Sequence, residues 1–306
     1  MSVSVIIPCY NVADCLEPCL QSVFNQQHKE LEVICVDNNS TDSTLQKLDA
    51  LKEKFQELSV LSEKKQGAPA ARNKGLEKTV SQYTQFLDAD DQLLPEKISS
   101  QLATGIQNDF PDIVFSDYTR VNVAGEKKIF HTKKKDAWEA LLSTKMGVTS
   151  ALLFKTEAVK KAGGWNEELK SSQEYDLIFR ILKNGGTVVF SPGNFTNVYD
   201  RPGFSISTTN KKQNWERYAL LRMDILKYIE EQKINPSKIS VYRQLAFDAL
   251  RILYAHNAAL AKEYFKKYFT KEFVPQVSAS TGKMYKTMFA FFGFTGTEKI
   301  RKVFGK

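Results

Sequence analysis

Through roughly the first hundred positions, short β-branched and aliphatic runs alternate with apolar residues at helical spacing. Residues 3–8 read as a strand, and Val12, Leu16, Cys19, Leu20, Val23 and Phe24 then fall on one side of a helix. A second buried strand follows at 31–36, and the polar stretch 39–42 supplies capping residues for a helix carrying Leu45, Leu48 and Leu51. Strands at 58–61 and 82–87 enclose a helix over 70–80. Strand and helix in turn predict a parallel sheet with helices on both faces. From Pro111 the pattern changes: strands at 112–115 and 118–123 lead into a hairpin around Ala124-Gly125-Glu126, and a helix near 174–183 precedes a strand at 187–190. Beyond Lys211 the chain reads as amphipathic helices over 215–232 and 241–269, with Pro236 marking the break between them.

At 306 residues, 42% hydrophobic and 25% charged, the chain has the make-up of a soluble globular protein with one large domain and an appendage, or two smaller domains. No stretch approaches the roughly 18 consecutive apolar residues that a membrane-spanning helix needs, and no basic, signal-like leader precedes the first strand; a cytoplasmic location is expected. Cys9, Cys15, Cys19 and Cys35 each fall inside an apolar pattern and read as reduced core residues. His28, His131 and His256 stand at no ligand spacing from them, which argues against zinc. A net charge of +8 admits an anionic substrate, an anionic membrane surface or nucleic acid. The lysine run at 133–135 reads as a solvated loop, and nothing combines basic and aromatic residues in the manner of a nucleic-acid surface.

The densest chemistry lies where the apolar run 83–87 stops at Asp88-Ala89-Asp90-Asp91. Like charges at a strand end repel one another and resist ionisation, so a hard divalent cation, Mg²⁺ or Mn²⁺, is the expected occupant. The plainer alternative is a polar turn in which Asp90 or Asp91 caps the next helix. In open sheets of this kind, ligands sit beyond the carboxyl ends of the strands. Polar loops at 9–11, 37–40 and 88–91 leave those ends and are expected to converge on one cleft.

Taken in order, VSVIIPCYN (3–11), VDNNSTDST (36–44), GAPAARNKGL (67–76) and FLDADD (86–91) resemble motifs of the inverting glycosyltransferases of family 2. The resemblance covers roughly residues 1–210. It implies the GT-A fold, a Rossmann-like α/β architecture of nucleotide-diphospho-sugar transferases with a mixed sheet flanked by helices. A catalytic domain over 1–210 would have a nucleotide-binding half (1–110) and an acceptor-binding half (111–210), and 211–306 would form a helical C-terminal extension. The implied reaction moves a sugar from a nucleotide-diphosphate donor, UDP-linked, to a hydroxyl of a glycan or lipid-linked glycan with inversion, in polysaccharide biosynthesis of the cell envelope. Pro8, Tyr10, Asn11, Asp37 and Asn38 would hold base and ribose. The family pattern has two adjacent aspartates where this chain has Asp37-Asn38, and an asparagine amide still offers donor and acceptor to a uracil edge. Arg72 would reach the anionic nucleotide or orient the acidic cluster, and FLDADD matches the DxD motif. Asp90 is then the first metal ligand, with Asp88 and Asp91 sharing metal, ribose or water contacts. Arg201 would bind the diphosphate, with Gly203 turning a loop over the donor.

Inverting transfer needs a carboxylate to take the acceptor proton. Gly163-Gly164-Trp165-Asn166-Glu167 and then Ser172-Gln173-Glu174-Tyr175-Asp176 are similar to the family segment that carries it, which places the base at Glu174, with Asp176 as its rival. Acids at a helix N-terminus also favour the dipole without any chemistry. At the far end, Tyr285, Met288, Phe289, Phe291, Phe292 and Phe294 are interspersed with Lys283, Lys286, Lys299, Arg301 and Lys302. Such a segment either lies in an anionic membrane interface at the inner leaflet, or packs on the preceding helices or a second subunit. Two further functions compete. A nucleotidyltransferase would want a glycine-rich phosphate loop after the first strand, which Pro8-Cys9-Tyr10-Asn11 is not. A degenerate, non-catalytic nucleotide-sugar-binding scaffold would not need Asp88, Asp90, Asp91 and Glu174 together.

Overall fold

Strand and helix alternate as expected through the N-terminal quarter, as β1 (Val3–Cys9), α1 (Leu16–Phe24), β2 (Leu31–Asp37), α2 (Thr44–Lys54), β3 (Leu58–Ser62), α3 (Ala68–Lys78) and β4 (Tyr83–Phe86). The remaining elements of this unit are β5 (Gln92–Leu93), α4 (Lys97–Gln107), β6 (Ile113–Val121), β7 (Lys127–Phe130), α5 (Ala137–Leu142), β8 (Leu152–Lys155), α6 (Thr156–Lys161), α7 (Gln173–Lys183) and β9 (Val188–Tyr199). This computed structural model describes residues 1–132, 136–201, 210–278 and 280–304. The lysine run at 133–135 and the expected Gly203 turn lie outside them. The chain divides into two compact units, Met1–Ser205 and Ile206–Lys306.

One mixed sheet organises the first unit, in the order β3-β2-β1-β4-β8-β6-β9-β5, with β7 paired to β6. The first four strands are parallel, and β8 enters antiparallel between β4 and β6. Alternate residues of β1 face opposite layers. Val3, Val5, Ile7 and Cys9 join Leu16, Leu20 and Val23 of α1, Leu48 and Leu51 of α2 and Ile98 and Leu102 of α4 in one core. On the other side Ile6 meets α3 so closely that a Cβ on Gly75 would stand 2.5 Å from the Ile6 Cγ2, and this contact requires glycine there. Cys9, Cys19 and Cys35 are buried thiols and Cys15 is half-buried, all unpaired.

Several elements depart from expectation. Residues 112–115 and 118–123 merge into the single strand β6, whose register with β9 shifts on either side of Asp117. β9 runs on to Tyr199, because its later half pairs with both β6 and β5. Leu45 is exposed rather than facing the core.

The second unit holds α8 (Lys211–Glu231), α9 (Ile239–His256), α10 (Ala258–Tyr268) and α11 (Lys283–Phe304). The helix expected over 241–269 breaks at Asn257 (φ −148°, ψ 86°), whose side chain accepts the Leu260 N–H at 3.1 Å and caps α10. Phe247 lies at the centre of an aromatic core, its ring centroid 5.1 Å from that of Phe273, 5.7 Å from Phe289 and 5.6 Å from Phe294. Tyr285, Phe289 and Phe294 are therefore buried by packing, whereas Met284, Phe291 and Phe292 of the same helix remain exposed.

Candidate active site

Strand register decides which loops meet. Cys9 pairs with Asp37 at the ends of β1 and β2, and Ile6 pairs with Phe86, so the loops after β1, β2 and β4 leave the same sheet edge. The first two are stitched together. Asn11, in the left-handed region at φ 51°, accepts the Thr41 N–H on its Oδ1 at 2.8 Å, and its own N–H donates to the Ser40 hydroxyl at 3.2 Å. Beside it Tyr10 is 47% exposed, an aromatic face open to a planar ligand, and Pro8 is half-buried at the end of the strand.

Asp37 and Asn38 divide their work. Asn38 is buried; its Nδ2 donates to the carbonyls of Glu63 (3.0 Å) and Lys65 (2.7 Å), and its Oδ1 accepts the Gly67 N–H at 2.7 Å. Both amide donors are thus spent on the loop that leads into α3, so the expected pairing of this amide with a base edge has no free N–H to make it. Asp37 is also buried, yet only its Oδ2 has a partner, the Ser40 N–H at 3.4 Å, and its Oδ1 has none among the described residues. A buried carboxylate oxygen without a donor is costly, and a ligand N–H or hydroxyl would satisfy it.

Arg72 lies beneath the acidic cluster, not in front of it. Only 4% exposed, it donates to Asp88 Oδ1 at 2.6 Å and to Gln173 Oε1 at 3.0 Å, and its guanidinium carbon stands 4.4 Å from the Trp165 ring centroid. Of its two expected roles, the geometry supports orienting the cluster. The next residue, Asn73, exchanges hydrogen bonds with the Trp165 backbone and donates to Glu167, which also pairs with Lys65 at 2.8 Å. Gly164 has φ 70°, and a Cβ there would approach Asn73 Oδ1 to 2.7 Å.

The three aspartates are not equivalent. Asp91, expected among the metal ligands, turns inward: its Oδ2 accepts the Ser150 hydroxyl at 2.6 Å, its Oδ1 accepts the Tyr199 N–H at 3.2 Å, and it is 3% exposed. Burial first, then the charges of Asp88 and Asp90, hold its pKa well above the ordinary carboxylate range. Its two oxygens tie the turn to the 3-10 segment Thr149–Ala151 and to β9. Asp88 and Asp90 are only half-buried. Asp90 is pushed up to about 6, by burial and then by the Asp88 charge, with Arg201 opposing. Arg201 donates to Asp14 Oδ1 at 2.9 Å and to the Asn11 carbonyl at 3.4 Å, so this late segment closes against the loop after β1. Among the described residues no three His, Cys, Asp or Glu form a ready-made metal cage. Two half-buried carboxylates suit a cation that completes its shell with water and phosphate oxygens.

Glu174 and Asp176 share the first turn of α7, entered through Ser172 at φ 58°. Asp176 is committed: its Oδ2 accepts both Nε and Nη2 of Arg180, at 2.9 and 2.7 Å, and Arg180 in turn donates to the Gly164 carbonyl at 2.7 Å. Glu174 is half-buried. Its charge, like that of Asp91, acts on the Tyr118 phenol, whose pKa is raised mainly by burial while Arg120 opposes. The Arg72 bridge to Gln173 places the start of α7 beside Asp88. Sequence reasoning missed Gln173, Ser150 and Tyr118, each a common residue whose part is set only by a partner distant in sequence.

A protein-family model described as Glycosyl transferase family 2 matches residues 4–162. The putative teichuronic acid biosynthesis glycosyltransferase TuaG of Bacillus subtilis is 42% identical over 103 residues, 33% of this chain and 40% of TuaG. The chain spans less than two thirds of the length of the curated relatives it matches, for example 20% of an uncharacterized glycosyltransferase of Rickettsia conorii. Among solved structures, residues 1–349 of S. aureus TarS in complex with UDP-GlcNAc superpose with a TM-score of 0.66 at 21% identity, covering 89% of this chain and 77% of that one. Mannosyltransferase PcManGT of Pyrobaculum calidifontis, in complex with GDP-Man and Mn²⁺, gives 0.56 at 17% identity, covering 99% and 87%. At such identities the structural likeness is one of fold.

Proposed function

The chain belongs to glycosyl transferase family 2, and from that premise we propose that it transfers a sugar from a UDP-linked donor to a hydroxyl of a glycan or lipid-linked glycan, inverting the anomeric centre. The observation that carries this reading is the Arg72 bridge, which binds the acidic turn after β4 and the first turn of α7 to a single guanidinium. That bridge supports a reading in which the aspartates of the turn bind the donor and Glu174, next to Gln173, activates the acceptor.

Tyr10 stacks on the base, Asp37 Oδ1 accepts the imide N–H of a uracil, and Asn38 holds the loop that frames it. The solved relatives hold UDP-GlcNAc in one case and GDP-Man with Mn²⁺ in the other, which supports a nucleotide-sugar donor. Asp90 and Asp88 would hold Mn²⁺ or Mg²⁺, which neutralises the charge that develops on the diphosphate as it leaves. Arg201, whose charge acts on Asp90, adds a second cation for the diphosphate. Glu174 takes the proton of the acceptor hydroxyl as its oxygen attacks the anomeric carbon and the bond to the diphosphate breaks. The resemblance to TuaG, a putative teichuronic acid biosynthesis glycosyltransferase, supports a cell-envelope polysaccharide as acceptor.

The test pairs turnover with binding. A panel of UDP-sugars is screened with Mn²⁺ for thermal stabilisation, and the best donor is used to compare wild type with Glu174→Gln. The variant is expected to lose about 100-fold or more in turnover while retaining stabilisation by UDP and Mn²⁺. Full turnover in Glu174→Gln, or no response to any nucleotide, overturns the assignment.

A further inference from the structure

We propose that α11 docks the C-terminal unit onto an anionic lipid bilayer. The inference rests on the glycosyltransferase reading for its purpose, access to a lipid-linked acceptor, but its chemistry is that of a separate surface. One side of α11 is consumed by packing, through Tyr285, Phe289 and Phe294. Met284, Phe291 and Phe292 are left 75%, 78% and 57% exposed, and Gly293 (φ 61°) interrupts the helix directly after the two phenylalanines. Large side chains at such a bend are costly in water and suit the boundary between headgroups and acyl chains.

Charge on the same helix selects the occupant. Lys283, Lys286, Lys299, Arg301 and Lys302 are all exposed. The one acid, Glu298, is 1% exposed and held by Arg251 and Arg301, each at 2.9 Å. Every solvent-facing charge on α11 is therefore positive, which matches lipid phosphates. A second copy meeting this face about a two-fold axis would bring one all-positive helix surface against another and leave the charges uncompensated. No helix among the described residues is long and apolar enough to cross a membrane, so the contact is interfacial.

Flotation of the full chain with vesicles tests the proposal. The protein is expected to rise with vesicles of phosphatidylglycerol and phosphatidylcholine, to stay behind with phosphatidylcholine alone, and to detach as salt increases. The double variant Phe291→Ser/Phe292→Ser and the double variant Lys283→Glu/Lys286→Glu, all at exposed positions, should each weaken binding at least about tenfold with UDP-sugar turnover unchanged. Failure of the wild type to float, or equal flotation of all variants, refutes the membrane contact. So does sedimentation in which the serine variant splits a dimer, since a second copy would then cover the face. Any of these results with donor turnover intact leaves the catalytic reading standing, whereas absent turnover in a chain that floats strikes that reading alone.

Discussion

Two buried cations show how differently a charge is treated within the first unit. Arg72 is surrounded by a carboxylate, an amide oxygen and an aromatic face, so its burial is compensated and directed. Lys97, the first residue of α4, is 0% exposed, and its Nζ has no hydrogen-bond partner among the described residues. Burial drives its pKa well below the ordinary lysine value of 10.5. Between that lowered value and the ordinary one, the unfolded chain holds a proton on Lys97 that the folded chain lacks, so stability rises with pH through that window and levels off above the ordinary value. Lys97→Met keeps the stem and removes the amine. It is expected to be more stable than wild type at pH 7 by about 1–4 kcal/mol, as when buried charges give way to apolar groups. The advantage should shrink between pH 7 and 10. Urea unfolding of both proteins at the two pH values measures it, and a variant less stable at pH 7 would mean that the ammonium is solvated in the fold.

At the level of the element, α7 separates two carboxylates that lie on one turn and look interchangeable in the sequence. The Asp176 side chain points to Arg180, which anchors the helix to the Gly164 carbonyl, so its role is to fix where the helix begins. Asp176→Asn is expected to cost about 1–2 kcal/mol from the weakened charge-assisted pair and to keep donor turnover within about threefold of wild type, since this change leaves the proposed base in place. Thermal unfolding and kinetics on one preparation check both. A hundredfold loss with the fold intact would transfer the base role to Asp176. The same helix shows what the sequence discloses. Its apolar face at Leu177, Ile178, Ile181 and Leu182 is legible because the partners of a helical stripe are its own neighbours at fixed spacing. The bridge from Arg72 to Gln173 joins positions 101 apart, and Asp91 meets Ser150 across 59, so neither leaves a local pattern. The motif-bearing loops after β1, β2 and β4 were legible for the opposite reason, since each packs its chemistry into a few consecutive residues. α4 leaves no clear pattern because buried Lys97 and Gln101 dilute the stripe of Ile98 and Leu102, and β5 and β8 are too short to show alternation.

On the scale of the whole molecule, the proposed donor site lies entirely within Met1–Ser205, while Ile206–Lys306 has a separate aromatic core around Phe247. Two cores of this kind need not melt together, and a ligand stabilises only the unit whose folded form binds it. UDP with Mn²⁺ at a hundred times its dissociation constant should add about 2.7 kcal/mol to the first unit and nothing to the second. The tryptophans allow the units to be read apart: Trp138 and Trp165 belong to the first and Trp215 to α8. In a Trp215→Phe variant the fluorescence transition reports the catalytic unit alone, and Trp165, stacked on Arg72, lies against the proposed site. The expected result is a fluorescence midpoint that climbs with nucleotide and metal, while a separate, helix-dominated step in the far-ultraviolet circular dichroism stays where it was. A single transition, coincident by both probes and shifting as one, would show instead that the two cores unfold as a cooperative body. Donor binding would then stabilise α11 together with the sheet.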